Sequence, residues 1–328
     1  MPGDGVRSVK AANEAAIFAR ANVVGVAVGN KVIGGRETEE ACIVVFVEAK
    51  RPEAQLRHRD VVPKALGGVR TDVVETGRFH ALRAAQTTNM DRTKRVRPAP
   101  GGVSVGHFQV TAGTLGVLAR RGGRPVILSN NHVLANQNAA RVGDPILQPG
   151  PADGGRLQDT IARLVDFVPI QFHDRRLGPL GRLLAALFAW AGLGVKRLPT
   201  GQVNLVDAAV AEPIDAGSVS RDILGIGRVT RTRDAELGIR VRKSGRTSGI
   251  TEGRVTALDA TVEVDYGGQT AVFREQVVSD LVSKGGDSGS LVVDESGRAV
   301  GLLFAGGATT TLINPIAAIA HFLEVTFG

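Results

Sequence analysis

Apolar and polar positions along this chain change their period twice. Residues 6–21 are rich in Ala, Glu, Lys and Arg, which predicts a helix. Two β-branched runs follow, Asn22-Val-Val-Gly-Val-Ala-Val-Gly29 and Ala41-Cys-Ile-Val-Val-Phe-Val47. They predict a hairpin whose turn is the charged stretch 36–40, and residues 70–75 offer a third strand. The expectation is a small α+β domain over residues 1–89. A basic stretch with Pro98 and Pro100 then reads as a linker over 90–102.

From residue 103 to 328 the texture is different. Short apolar runs recur between glycines at 113–119, 125–128, 157–168, 203–211, 225–230, 241–244, 254–265, 290–293 and 299–304. Many short strands at this spacing predict a mainly β domain, a sandwich or a barrel. A helix over 315–322, opened by Pro315, closes the chain.

Composition narrows the functional classes. The net charge is +8, but the only dense basic run is 92–97, and aromatic residues are 4% of the chain. Without clustered charge or stacking rings, nucleic acid is not an expected partner, and the run is expected to be a solvated linker. Cys42 is the single cysteine, so neither an intrachain disulfide nor a cysteine metal site is available. The first 20 residues carry Asp4, Lys10 and Glu14 instead of a signal-peptide core, which makes the cytoplasm the expected location. Residues 180–195 are strongly apolar yet contain Arg182 and fall short of the roughly 20 residues a bilayer span needs. A buried or interfacial helix follows, apolar nearly all round at Leu183, Leu184, Leu187, Phe188 and Trp190. A homo-oligomer formed through this insert or through the N-terminal domain is the corresponding partner expectation, and no membrane association is expected.

The densest chemistry is Gly285-Gly-Asp-Ser-Gly-Ser290. An acyl-transfer serine must sit on a tight turn whose backbone N–H groups converge on a developing oxyanion. Ser288 is the candidate nucleophile, Gly286 and Ser288 the candidate oxyanion donors, and Asp287 a brace for the turn. A serine needs a base with a pKa near the working pH. His132, after the apolar run 125–128 and Ser129-Asn-Asn131, is the candidate among six histidines. His58, His80, His107, His173 and His321 read as structural or exposed. The base in turn needs a carboxylate, and Asp207 stands alone in the apolar run Asn204-Leu-Val-Asp-Ala-Ala-Val210, with Asp166 as runner-up. This chemistry calls for no cofactor and no metal.

With these residues in the order His, Asp, Ser, the sequence resembles the trypsin/chymotrypsin superfamily of serine peptidases. Ser129-Asn-Asn-His-Val133 is similar to the histidine motif of HtrA-type members. Lys243-Ser-Gly-Arg-Thr-Ser-Gly249 with Gly253-Arg-Val255 resembles the bacterial α-lytic and streptogrisin branch. Together with Gly113-Thr-Leu-Gly116 and Gly286-Asp-Ser-Gly-Ser290, these blocks also resemble the plant narrow-leaf peptidase and its bacterial relatives. The resemblance covers residues 103–328. It implies a chymotrypsin-like double six-stranded β-barrel and a serine endopeptidase acting on proteins or peptides through an acyl-enzyme. It also implies a substrate pocket lined by Val282, Ser283, Phe304, Ala305 and Gly306. Val282 stands where trypsin keeps an acidic pocket floor, so a small or apolar residue is expected at the cleavage site. Two departures stand out. Ser290 replaces a customary glycine, and Phe304 replaces a serine that supports the catalytic carboxylate. The second departure motivates an alternative, an impaired peptidase fold that binds peptides without cutting them. Hydrolysis of small esters by the same three residues is a third reading.

Overall fold

A computed structural model of the chain describes residues 4–82, 90–173 and 203–328. The apolar insert 180–195 lies outside the described residues. The chain forms two compact units: Met1–His80, Gln171–Asn204 and Ala257–Arg274 make one, and Ala81–Ile170, Leu205–Thr256 and Glu275–Gly328 the other.

In the first unit a helix, Asp4–Phe18, lies on the strands Val23–Ile33 and Arg36–Val47. Its Val6, Ile17 and Phe18 pack against Val23, Val26, Val28, Ile43, Val45 and Val47. The hairpin is longer than the sequence pattern predicts. Arg36–Glu40 are strand residues, and the turn is Gly34-Gly35, with φ of +59° and +78°. Two left-handed residues in a row give the primed turn that matches strand twist, so the glycine pair decides and the charges do not. Strand Val69–Glu75 adds in parallel to Arg36–Val47, and residues 257–262 pair on the opposite side with Val23–Ile33. That last pairing joins distant sequence to the N-terminal unit, which a linear boundary at residue 89 does not include.

The second unit holds two barrels of antiparallel strands. In the first, Val117–Arg121, Arg124–Ser129, Ala209–Pro213, Thr160–Phe167, Pro145–Leu147 and Ser104–His107 pair in that order. Ser104–His107 then pairs with Gly113–Thr114, which runs on into Val117–Arg121 and closes the ring. In the second barrel the order is Arg240–Gly245, Leu291–Asp294, Ala299–Gly306, Thr311–Pro315, the end of Thr270–Ser279, the start of Gly249–Asp265, and back to Arg240–Gly245. Two such six-stranded rings make a mainly β, chymotrypsin-like double barrel. Period-two alternation appears with both faces buried. Ile127, Ala209 and Ala211 fill the first barrel, while Val126, Leu128, Ala208 and Val210 pack with Leu291, Leu302 and the closing helix Ile316–Leu323.

The basic stretch 92–97 is not a solvated linker. Met90–Thr93 is helical and Ala99–Gly101 is a strand parallel to Val219–Ile223. Arg92 is buried and donates to the Gly102 carbonyl at 2.9 Å and Ser244 Oγ at 2.7 Å. Arg97 donates to the Gln148 and Asp159 carbonyls. Guanidinium forks that satisfy backbone carbonyls stay inside; a lysine with the same charge would not match them as well. Burial pushes the Arg92 guanidinium pKa down, and the charge of Asp287 partly offsets this.

Candidate active site

The strand Arg124–Ser129 ends at the rim of the first barrel and turns into the short helix Asn131–Leu134, which carries His132. Asp207 is not within a strand, as the apolar run suggests; it lies two residues before the strand Ala209–Pro213. Three bonds fix its backbone and ring partner. Its N–H donates to Asn314 Oδ1 at 3.0 Å, its carbonyl accepts from Asn130 Nδ2 at 2.6 Å, and its Oδ2 lies 2.6 Å from His132 Nδ1. Oδ1 also accepts the His132 backbone N–H at 3.2 Å. A fully buried carboxylate held this way fixes Nδ1 as the protonated ring nitrogen and leaves Nε2 basic. Asn314 is itself held by Gln276 Oε1 at 2.7 Å.

Beyond His132 the chain makes three successive left-handed residues, Asn136, Gln137 and Asn138, with φ of +47°, +54° and +74°. Such a run is costly without glycine and needs outside support. Asn131 and Asn138 supply it. Asn131 Nδ2 donates to Asn138 Oδ1 and to the Val168 carbonyl, and Asn138 Nδ2 donates to the Ile170 carbonyl.

Residues 285–290 form a turn in the second barrel in which almost every backbone carbonyl has a named donor. Gly285 accepts from Thr247 Oγ1, Gly286 from Thr114 Oγ1, Asp287 from Ser290 Oγ and Ser288 from the Thr114 N–H, all at 2.6–2.8 Å. Ser290 therefore takes a part in the turn that a glycine could not. Asp287 anchors it from within, accepting the N–H groups of Thr247, Ser248 and Lys284 and pairing with Lys243 Nζ at 3.1 Å. Both side chains are 0% exposed. Burial lowers the Lys243 pKa, and Asp287 opposes that shift. Beside them Arg246 pairs with Asp153, ties to Thr247 Oγ1 at 3.0 Å and packs under Gly286. Gly286, at φ +97°, has no room for a side chain, because a Cβ there would lie 2.5 Å from Thr247 Oγ1.

Gly113 joins the two halves of the site. A Cβ on it would collide with Val133, the neighbour of His132, and fall 3.0 Å from the Ser288 carbonyl. The Ser288 hydroxyl donates to the Phe304 carbonyl at 3.1 Å, and the Gly286 N–H donates to the Leu82 carbonyl at 3.0 Å. Phe304 is wholly buried, and its backbone carbonyl is the group that meets the Ser288 hydroxyl.

The proposed pocket residues divide. Ser283 Oγ bonds Thr311 Oγ1 at 2.7 Å and would lie 3.2 Å from a Cβ on Gly306, so these two face each other. Ala305 is buried in the strand. Val282, by contrast, is 57% exposed and does not floor an enclosed pocket; its carbonyl accepts from Thr251 Oγ1. Asp166 pairs with Arg121 at 2.7 Å and stands apart from His132. His107 is buried against Asp144. The residues that pattern reading misses are Lys243, Arg246, Asp153, Thr114 and Asn314. Of these, Lys243, Arg246 and Thr114 lie in motifs that are visible in the sequence but carry no chemistry legible there.

No protein-family model matches the chain. Solved structures similar to it include bacterial serine proteases. A Cellulomonas bogoriensis chymotrypsin is 15% identical, with 70% of this chain and 98% of that chain covered and a TM-score of 0.43. Thermobifida fusca protease A is 16% identical, with 70% and 99% covered and a TM-score of 0.44. The alpha-lytic protease homolog N4 is 20% identical, with 70% and 98% covered and a TM-score of 0.45.

Proposed function

We propose that the chain is a serine endopeptidase in which Ser288 is the nucleophile, His132 the general base and acid, and Asp207 the group that orients the ring. The observation that carries this reading is the 2.6 Å contact of a fully buried Asp207 with His132 Nδ1, beside a serine turn whose carbonyls are tied back. To attack, the Ser288 hydroxyl leaves the Phe304 carbonyl by rotation about its Cα–Cβ bond and turns to His132 Nε2. Nε2 takes the proton as Oγ bonds the substrate carbonyl carbon, and the Gly286 and Ser288 N–H groups receive the oxyanion. The imidazolium then protonates the leaving amine, and a water activated by the same ring releases the acid. Asp207 stabilises the imidazolium throughout without being protonated.

The substrate side chain enters between Ser283 and Gly306, where the nearest described atoms are the Ser283 hydroxyl, the Thr310 carbonyl and the Leu82 side chain, which supports a small or apolar preference at the cleavage site. Proteins and peptides are the proposed substrates, and the cytoplasm the proposed setting. Wild type should hydrolyse fluorescent casein and peptide esters, and Ser288→Ala should hydrolyse neither. Turnover of esters alone would favour the small-ester reading, and tight peptide binding with no turnover the scaffold reading.

A further inference from the structure

Asp207 is held from both barrels. Its carbonyl accepts from Asn130 Nδ2, at the end of a first-barrel strand, and its N–H donates to Asn314 Oδ1 on the second-barrel strand Thr311–Pro315. The bonding does not end there. Asn314 Nδ2 donates to Gln276 Oε1 at 2.7 Å, and Gln276 Nε2 donates to the Leu205 carbonyl at 2.8 Å. A backbone N–H at one end and a backbone carbonyl at the other fix which way each amide points, so the groups form one directed chain from the Asp207 N–H to the Leu205 carbonyl. Residues 205–207 belong to no strand, and this chain supplies two of the partners that a neighbouring strand would otherwise give. Between its ends Val206 is fully buried in one cluster with Leu128, Leu291 and Leu302.

Both amide side chains are fully buried, and burial of such groups costs free energy unless each polar atom is matched, as it is along this chain. Gln276 is turned inward at a further cost. Along the strand Thr270–Ser279, Arg274 and Glu275 are exposed in succession, and Glu275 is left-handed with φ +60°. A non-glycine residue in that conformation breaks the alternation of the strand, and Gln276 follows on the buried side. An apolar pair would fill the same space but give neither the Leu205 carbonyl nor the Asp207 N–H its partner. We infer that Gln276 and Asn314 are positioning residues for Asp207: through them the barrel that carries Ser288 sets where the carboxylate meets His132 Nδ1. This rests on the peptidase reading above. The effect of the two amides passes through Asp207, and a carboxylate displaced by about 1 Å leaves the ring misaimed at the serine, which costs about a hundredfold in rate.

The test is the rate of fluorophosphonate labelling at Ser288, with peptide-ester kinetics, circular dichroism and proton NMR of the His132 ring on the same full-length proteins. Asn314→Leu should label about a hundredfold more slowly, with kcat lowered and KM nearly unchanged. Gln276→Met leaves Asn314 in place without its support and should slow labelling about tenfold. The double variant should be no slower than Asn314→Leu alone, because the two amides work as one chain. In an Asp207→Asn background either substitution should change the rate less than about twofold, since the group they position no longer orients the ring. The downfield Nδ1 proton of wild type, identified by its loss in His132→Ala, should move upfield in both single variants. A labelled wild type whose folded Asn314→Leu and Gln276→Met variants label at its own rate overturns the inference and leaves the peptidase reading standing. An equal loss in the Asp207→Asn background, or failure of both variants to fold, assigns the amides to the fold at large and overturns the inference in the same way. A folded wild type that does not label overturns both readings.

Discussion

The two barrels each bury a carboxylate at 0% exposure, and they use it for different ends. In the first, Asp207 faces a ring and takes both the backbone and the side-chain N–H of His132, so it orients the group proposed to change protonation. In the second, Asp287 faces the ammonium of Lys243 and three backbone N–H groups, and so holds a turn that must not move. On the proposed mechanism, one carboxylate serves the chemistry directly and the other the geometry in which it would happen. The difference teaches that a buried ion pair near an active site has to be judged by what its partner can do, since burial and distance alone are alike in the two cases.

The contrast can be broken by substitution. The largest effect belongs to the proposed nucleophile: Ser288→Ala should lower kcat on the order of 10⁶-fold with little change in urea midpoint. Asp207→Asn preserves shape but offers His132 the wrong tautomer, so peptide hydrolysis should fall about 10⁴-fold while thermal unfolding shifts little. Lys243→Met should behave in the opposite sense. It leaves Asp287 buried and unneutralised, which should cost about 3–5 kcal/mol in denaturant unfolding, with activity lost in step. If Lys243→Met unfolds like wild type, the assigned role of the second barrel's pair is wrong.

Gly286→Ala sharpens the comparison, because it disturbs the turn without touching either carboxylate. A side chain at φ +97° should cost about 1–3 kcal/mol. The displaced N–H should lower kcat about 10²–10³-fold at nearly constant KM.

The smallest effect is a pH dependence. The Arg141 backbone N–H, with His107 acting against partial burial, holds the Asp144 carboxyl below its ordinary 3.8. A folded pKa below the unfolded one gives stability that is full above 3.8 and is lost as the pH falls through the folded value. Acid unfolding of Asp144→Asn should therefore be less steep in that range than wild type, as read by circular dichroism.

The catalytic candidates are legible because each follows a local rule: a glycine-framed serine, a histidine after an apolar strand, a carboxylate stranded among apolar residues. The recurrence of short strands makes a mainly β domain legible and leaves sandwich and barrel open; the double barrel comes from the family resemblance. Pattern reading misplaces the turn at Gly34-Gly35 when it weighs charge above the left-handed backbone that only glycine takes easily. It misjudges the run 92–97 because a linear string of charges says nothing of whether carbonyls wait for them. Lys243 with Asp287 and Arg246 with Asp153 are long-range pairs, so no periodicity announces them. The seat of Leu82 at Gly286 depends on tertiary approach in the same way.

The central claim is that His132 makes Ser288, and no other hydroxyl, nucleophilic. Reaction with a fluorophosphonate followed by peptide mapping tests it most directly. The account predicts one adduct, on Ser288, formed in wild type, slowed by several orders of magnitude in His132→Ala and lost in Ser288→Ala. A folded wild type that forms no adduct, or one whose adduct maps to another serine, would contradict it.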